Sequence, residues 1–191
     1  MKADSSMRYN EIRPDELFQL VENAKSNHDD ATDKLSRFIY GKIFSYTYYR
    51  VRQREDAEDL TSEVILKILK SLKTQKGNFL AWIYKIANNS IIDFYRKRAR
   101  RPNISLEEIK YDIPAPEPDQ SLLTGSQMKE AMTHLTSEQA NVITLRFVLD
   151  YNNEKVSEIM GKTVGAIKVL QHRALLVLRE YFRKEGYATK H

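Results

Sequence analysis

The chain has 191 residues, of which 41% are hydrophobic, and a formal net charge of +5. That length and apolar content suit one medium domain or two small ones with ordinary cores, and exclude disorder throughout. With no cysteine in the chain, disulfides, thiolate catalysis and cysteine-ligated zinc are excluded, and His28, His134, His172 and His191 are scattered without a ligand pattern, so neither a metal nor a cofactor is expected. The apolar runs are short pieces such as Ala174-Leu175-Leu176-Val177-Leu178, and no apolar signal segment follows Met1. The expectation is a cytoplasmic protein with no membrane insertion.

Apolar residues recur at spacings of three and four and no convincing period-two strand appears, which predicts an all-α fold. Leu17, Leu20 and Val21 mark a first helix, and Leu35, Phe38, Ile39, Ile43, Phe44 and Tyr46 to Tyr48 a second. Leu60, Val64, Ile65, Ile68, Leu69 and Leu72 form a clean stripe from Asp56 to Leu72, closed by the polar turn Thr74-Gln75-Lys76-Gly77-Asn78. The next helix starts at Phe79 and runs into a basic cluster. Its residues Phe79, Ile83, Ile86, Ala87, Ser90, Ile91 and Phe94 can face a core, while Trp82, Asn89 and Arg96 repeat every seven residues on another face.

Four of the five prolines, Pro102, Pro114, Pro116 and Pro118, then fall in one stretch that also holds Glu107, Glu108, Asp112, Glu117 and Asp119 against Lys110 alone. Such a stretch resists regular helix and reads as a flexible acidic linker. Beyond it, Met128, Ala131, Met132 and Leu135 make one amphipathic helix. Thr136-Ser137-Glu138-Gln139 fits a capping box opening a helix through Phe147. A short helix from Asn153 to Met160 is stopped by Gly161, and Thr163 caps a last helix from Val164 to about Arg183. The division is a first helical domain over 10–101, a linker over 102–125 and a second helical domain over 126–185.

Four constellations carry chemistry. Asn153 to Arg173 has the layout of a helix-turn-helix. Ile167, Leu170, Ala174 and Leu178 form its inner stripe, and Lys168, Val169, His172 and Arg173 are left for a major groove, with Lys162 and Thr163 near phosphate. A helical hairpin with a glycine cap and a solvated basic face fits the same pattern. Arg96, Lys97, Arg98, Arg100 and Arg101 put five positive charges in six positions, more than a helix dipole requires, and favour duplex phosphate contact. Trp82, Asn89 and Arg96 align an aromatic platform, an amide and a guanidinium. Single-stranded DNA is bound by that set, since each base stacked on an aromatic ring gains about 1 to 3 kcal/mol. A half-buried core position suits Trp82 equally. Asp56, Asp59 and Glu63 share a flank as an acidic row, which alone reads as a solvated face.

Leu135 to Phe147, Val156 to Lys168, His172-Arg173-Ala174 and Leu178-Arg179 resemble conserved region four of bacterial sigma factors. The likeness is to the extracytoplasmic-function (ECF) group of the sigma-70 family in particular. Glu55 to Val64 and Phe79 to Arg101 resemble the core-binding helix and the promoter-melting element of region two, in the family's order. The resemblance implies a non-enzymatic subunit that binds core RNA polymerase, through the clamp helices of the largest subunit and the beta subunit flap, and positions it on promoter DNA. It assigns core binding to Asp56, Asp59, Leu60 and Glu63. It assigns DNA binding to Trp82, Lys85, Asn89, Arg96, Lys97, Arg98, Arg100 and Arg101 in the first domain, with Asn89 at the base-reading position, and to Lys162, Thr163, Lys168, Val169, His172 and Arg173 in the second. Leu170 departs from the basic residue often present there, which leaves the promoter sequence open. An anti-sigma factor is implied as a further partner. The competing readings are a stand-alone helix-turn-helix regulator and a sigma-like interaction protein. No phosphate-cradling glycine loop or nucleophile motif supports an enzyme.

Overall fold

The computed structural model describes residues 12–51, 53–100 and 125–186, and no strand occurs among them. The front bundle has four helices: α1 Pro14–Lys25, α2 Asp29–Tyr48, α3 Arg54–Ser71 and α4 Phe79–Ala99. The rear one comprises α5 Gly125–Met132, α6 Ser137–Ile143, α7 Asn153–Met160 and α8 Val164–Lys184. The acidic linker and Arg101 lie outside the described residues.

The front core forms because α2, α3 and α4 each present an apolar stripe at helical spacing. Leu35, Ile39 and Ile43 of α2 meet Val64 and Ile68 of α3 and Ile83 and Ala87 of α4, all fully buried. Burying each of these aliphatic side chains contributes about 1.5 to 3 kcal/mol. Thr47 and Thr61 are buried inside this apolar contact, and their hydroxyls sit 2.8 Å apart. Each also reaches a carbonyl one turn back, Ile43 and Ala57 respectively, so neither is left unpaired. After α3 a 3-10 turn over Leu72–Thr74 leads to Asn78, whose side chain accepts from the Ala81 amide at 3.0 Å and starts α4. Lys25 donates to the Gln75 carbonyl at 3.0 Å and ties this turn to α1.

In the rear bundle the expected capping box is present: Thr136 accepts from the Gln139 amide and Gln139 returns a bond to the Thr136 amide. The helix it opens does not stay α-helical through Phe147. A π-turn takes over at Thr144–Val148, where the Leu149 amide reaches the Thr144 carbonyl five residues back at 3.1 Å. The buried Thr144 hydroxyl bonds the Ala140 carbonyl, and Arg146 donates to the Tyr151 carbonyl. The extra residue of a π-turn leaves no mark on a hydrophobic period, so the sequence pattern runs through it.

Gly161 ends α7 in the left-handed region, with φ +62°, and a Cβ built there would meet nothing within 4 Å. The glycine is therefore required by backbone energy and not by space. Gly161→Ala is expected to cost about 1 to 2 kcal/mol, read as a lower urea midpoint at unchanged m-value.

Candidate nucleic-acid and polymerase-docking surfaces

α4 divides its circumference three ways. Ile83, Ala87 and Ser90 turn into the front core and Tyr84 toward the rear bundle, while Lys85, Asn89, Ile92 and Arg96 form an outward stripe at spacings of four, three and four. Lys85, Asn89 and Arg96 are exposed. Trp82 begins the same stripe but is half-buried and packs on Phe79, with ring centroids 5.9 Å apart. One part of the indole serves the core, as the half-buried reading expects, and the rest borders the polar stripe.

The basic run after this stripe is not uniformly free. Arg96 pairs with Asp93 at 3.0 Å in an exposed i,i+3 contact. Arg98 reaches from α4 to Asp56 of α3 at 3.0 Å, with side chains only 31% and 24% exposed. Lys97 and Arg100 are exposed and form no ion pair among the described residues, which leaves their charges directed to solvent. The acidic row is sorted by the same geometry. Asp59 faces solvent, Glu63 holds Lys67 at 2.6 Å, and Asp56 turns toward α4. Leu60 does not belong to a docking surface: it is 4% exposed, because it continues the inward stripe of Ala57, Val64 and Ile68.

In the helix-turn-helix, Asn152 caps α7 through the Lys155 amide at 2.8 Å and Thr163 caps α8 through the Ala166 amide at 3.2 Å. The Thr163 hydroxyl is thus spent on the cap. Ile167, Ala174 and Leu178 are buried and Leu170 half-buried, which turns Lys168, Val169, His172 and Arg173 to solvent. Lys162 pairs with Glu138 of α6 at 2.8 Å and braces the turn against the helix before it.

The two bundles also meet each other, along contacts that no single-helix period reveals. Arg50, 8% exposed, donates to the Tyr46 hydroxyl, to Asn88 Oδ1 at 3.0 Å and across to Ser137 Oγ at 3.3 Å. Tyr46 in turn donates to Asn141 Oδ1 of α6 at 2.8 Å. Tyr84 and Tyr151 hydroxyls sit 3.2 Å apart, and Asn78 donates to Glu158 at 3.3 Å. Val142, Leu145, Val156, Ile159 and Ile167 join the front core in one apolar cluster. Burial raises the pKa of the Tyr46 phenol, offset in part by Arg50, and burial followed by Tyr151 raises that of Tyr84 well above its ordinary value. Both phenols therefore keep their donor protons at neutral pH.

Two helical bundles, one with a polar and basic stripe beside an acidic row and the other a helix-turn-helix, define an all-helical protein of the class built around a helix-turn-helix. Residues 35–101 match the family model of sigma-70 region 2, and residues 131–180 match that of sigma-70 region 4. The chain is 33% identical over 170 residues to the ECF RNA polymerase sigma factor BldN of Streptomyces coelicolor, covering 85% of this chain and 64% of BldN. It is 30% identical over 149 residues to the RNA polymerase sigma factor SigV of Bacillus subtilis, covering 77% of this chain and 86% of SigV. Among solved structures it is similar to the sigma factor RpoE of Bartonella quintana in complex with the anti-sigma factor NepR. There the TM-score is 0.61 at 22% identity, covering 80% of this chain and 96% of RpoE. The chain belongs to the ECF group of the sigma-70 family.

The ion-pair pattern separates the basic residues by role. Lys97→Ala and Arg100→Ala are each expected to lower the salt slope of DNA binding by about one unit with stability unchanged. Arg98→Ala is expected to cost about 1 kcal/mol of stability as well, because it strands Asp56. Salt titrations of DNA affinity beside urea melts read the two effects apart.

Proposed function

We propose that this chain is an RNA polymerase sigma factor that recruits core polymerase to specific promoters and starts strand opening. The observation that carries the reading is that the outward stripe of α4 and the outward face of α8 both stay open to solvent. They stand on the region 2 and region 4 matches in that order. The α8 face is shaped for duplex DNA: Lys168, His172 and Arg173 reach base edges and phosphates of the minus-thirty-five element from the major groove, and Val169 offers an apolar contact to a thymine methyl. The α4 stripe is shaped for single strands. Asn89 offers a donor and an acceptor to a flipped base of the minus-ten element, the exposed part of Trp82 stacks, and Lys85, Arg96, Lys97 and Arg100 hold backbone phosphates.

Core polymerase docks on the acidic face of α3, through Asp59 and Glu63 with Asp56 at its edge, against the basic clamp helices of the largest subunit. The beta subunit flap takes the rear bundle. RNA synthesis belongs to the polymerase, so the chain supplies recognition and melting, not catalysis, and works in the cytoplasm where core polymerase is found. An anti-sigma factor is a further partner of the kind that NepR is for RpoE.

Reconstitution with core polymerase tests the reading: promoter-specific run-off transcripts are expected with the chain and none without it. Asn89→Ala is expected to lower open-complex formation by about tenfold, the loss of one good base contact, while core binding in a pull-down stays intact. Failure to associate with core, or to direct any transcript, refutes the assignment.

A further inference from the structure

A groove of about 840 Å³ is bounded by α1, the turn before α4 and the chain from Leu149 to Glu158. Its two sides differ in kind. Leu17, Phe18 and Leu80 make the α1 and α4 side apolar, whereas the opposite side carries the carboxylates of Asp150, Glu154 and Glu158. Phe18 is 61% exposed, although Val21 less than one turn further along α1 is buried in the core. A phenyl ring left open beside half-buried Leu17 and Leu80 is an apolar surface short of its cover. The volume falls within the range of about 300 to 1,000 Å³ usual for clefts that hold a ligand.

Most charges around the groove are already met. Arg13 pairs with Glu16, Lys25 with Glu22 and Lys155 with Glu158, each at 2.8 Å, and the Lys42 ammonium lies over the Phe38 and Tyr151 rings. Asp150 and Glu154 are exposed and form no ion pair among the described residues. The groove is therefore complementary to a polypeptide that is apolar on one side and cationic on the other.

The chain carries such a segment next to the groove. Ile12, the first described residue, itself lines the groove. Shortly ahead of it, outside the described residues, stand Met7, Arg8 and Tyr9. In an extended chain alternate side chains point to opposite sides, so Met7 and Tyr9 would share one side and Arg8 take the other. Arg8 is four residues from Ile12, a reach of about 13 Å at 3.3 Å per residue, and the covalent attachment gives the segment an effective concentration that a free competitor lacks. We propose that the segment ahead of Ile12 seats in this groove, with Met7 and Tyr9 against Phe18 and Leu80 and with Arg8 at the carboxylates of Asp150 and Glu154. The occupant of the groove is then the chain itself, and any other polypeptide that binds there must displace it. The inference stands apart from the sigma assignment, since it rests on no DNA or polymerase contact.

The absence of cysteine from the chain makes the test direct. Arg8→Cys with Glu154→Cys is expected to form an intramolecular disulfide under mild oxidation about tenfold faster than Arg8→Cys with Arg179→Cys, whose second thiol lies on exposed α8 surface away from the groove. Equal rates overturn the proposal and leave the groove to a different occupant. Disulfide-linked dimers in place of cross-linked monomers overturn it in favour of a second copy of the chain. A further measurement leaves both carboxylates in place: the Leu80→Cys thiol is expected to react with a soluble maleimide about tenfold more slowly in the otherwise unchanged chain than in one that also carries Arg8→Glu and Tyr9→Ser. Those two changes lie ahead of the first helix and leave the bundles intact, so an unchanged labelling rate overturns the proposal as well.

Discussion

The packing of α4 on two sides is the constraint from which the rest of the molecule follows. A helix of 21 residues that gives one face to α3 and another to the rear bundle has a single stripe left for solvent, and that stripe holds Lys85, Asn89 and Arg96. Its position is therefore fixed by burial elsewhere, since Ile83 and Ala87 cannot leave the core without losing several kcal/mol of apolar burial. A stripe held in this way is preorganised for whatever it binds. An amide that is already aimed spends less binding energy on ordering.

Charge is arranged with similar economy. The bundle's acidic row and basic run are adjacent, and Asp56 and Arg98 join where they touch. Each face thereby gives up one charge to the other and gains a defined edge, with Asp59 and Glu63 on one side and Lys97 and Arg100 on the other. A surface carrying both an anionic and a cationic face risks self-association, and pairing at the shared boundary keeps the two fields apart.

The rear bundle shows how local chemistry sets up a recognition helix. Asn152, Gly161 and Thr163 each settle one backbone end, so the bounds of α7 and the start of α8 are set by local capping. Lys162 and Glu138 then lock the turn to α6. The π-turn at Thr144–Val148 re-aims the chain into α7, and the half-buried Arg146 that supports it looks in the sequence like one more surface cation.

What the sequence determined alone is what short-range physics decides. The helices, the cap at Thr136, the stop at Gly161, the inner stripes of α3, α4 and α8, and the order of the two family regions are set within a turn or two of chain. Each is written in the spacing of a few neighbouring side chains. What only the tertiary structure decided is which polar residues keep their charges for others. Arg98 and Lys162 look the same as Lys97 and Lys168 in the sequence. Arg50, Tyr46, Asn88, Ser137 and Asn141 carry no shared pattern at all. Their meeting depends on contacts up to 95 residues apart, and the partner of a long-range hydrogen bond has no periodicity from which it can be read.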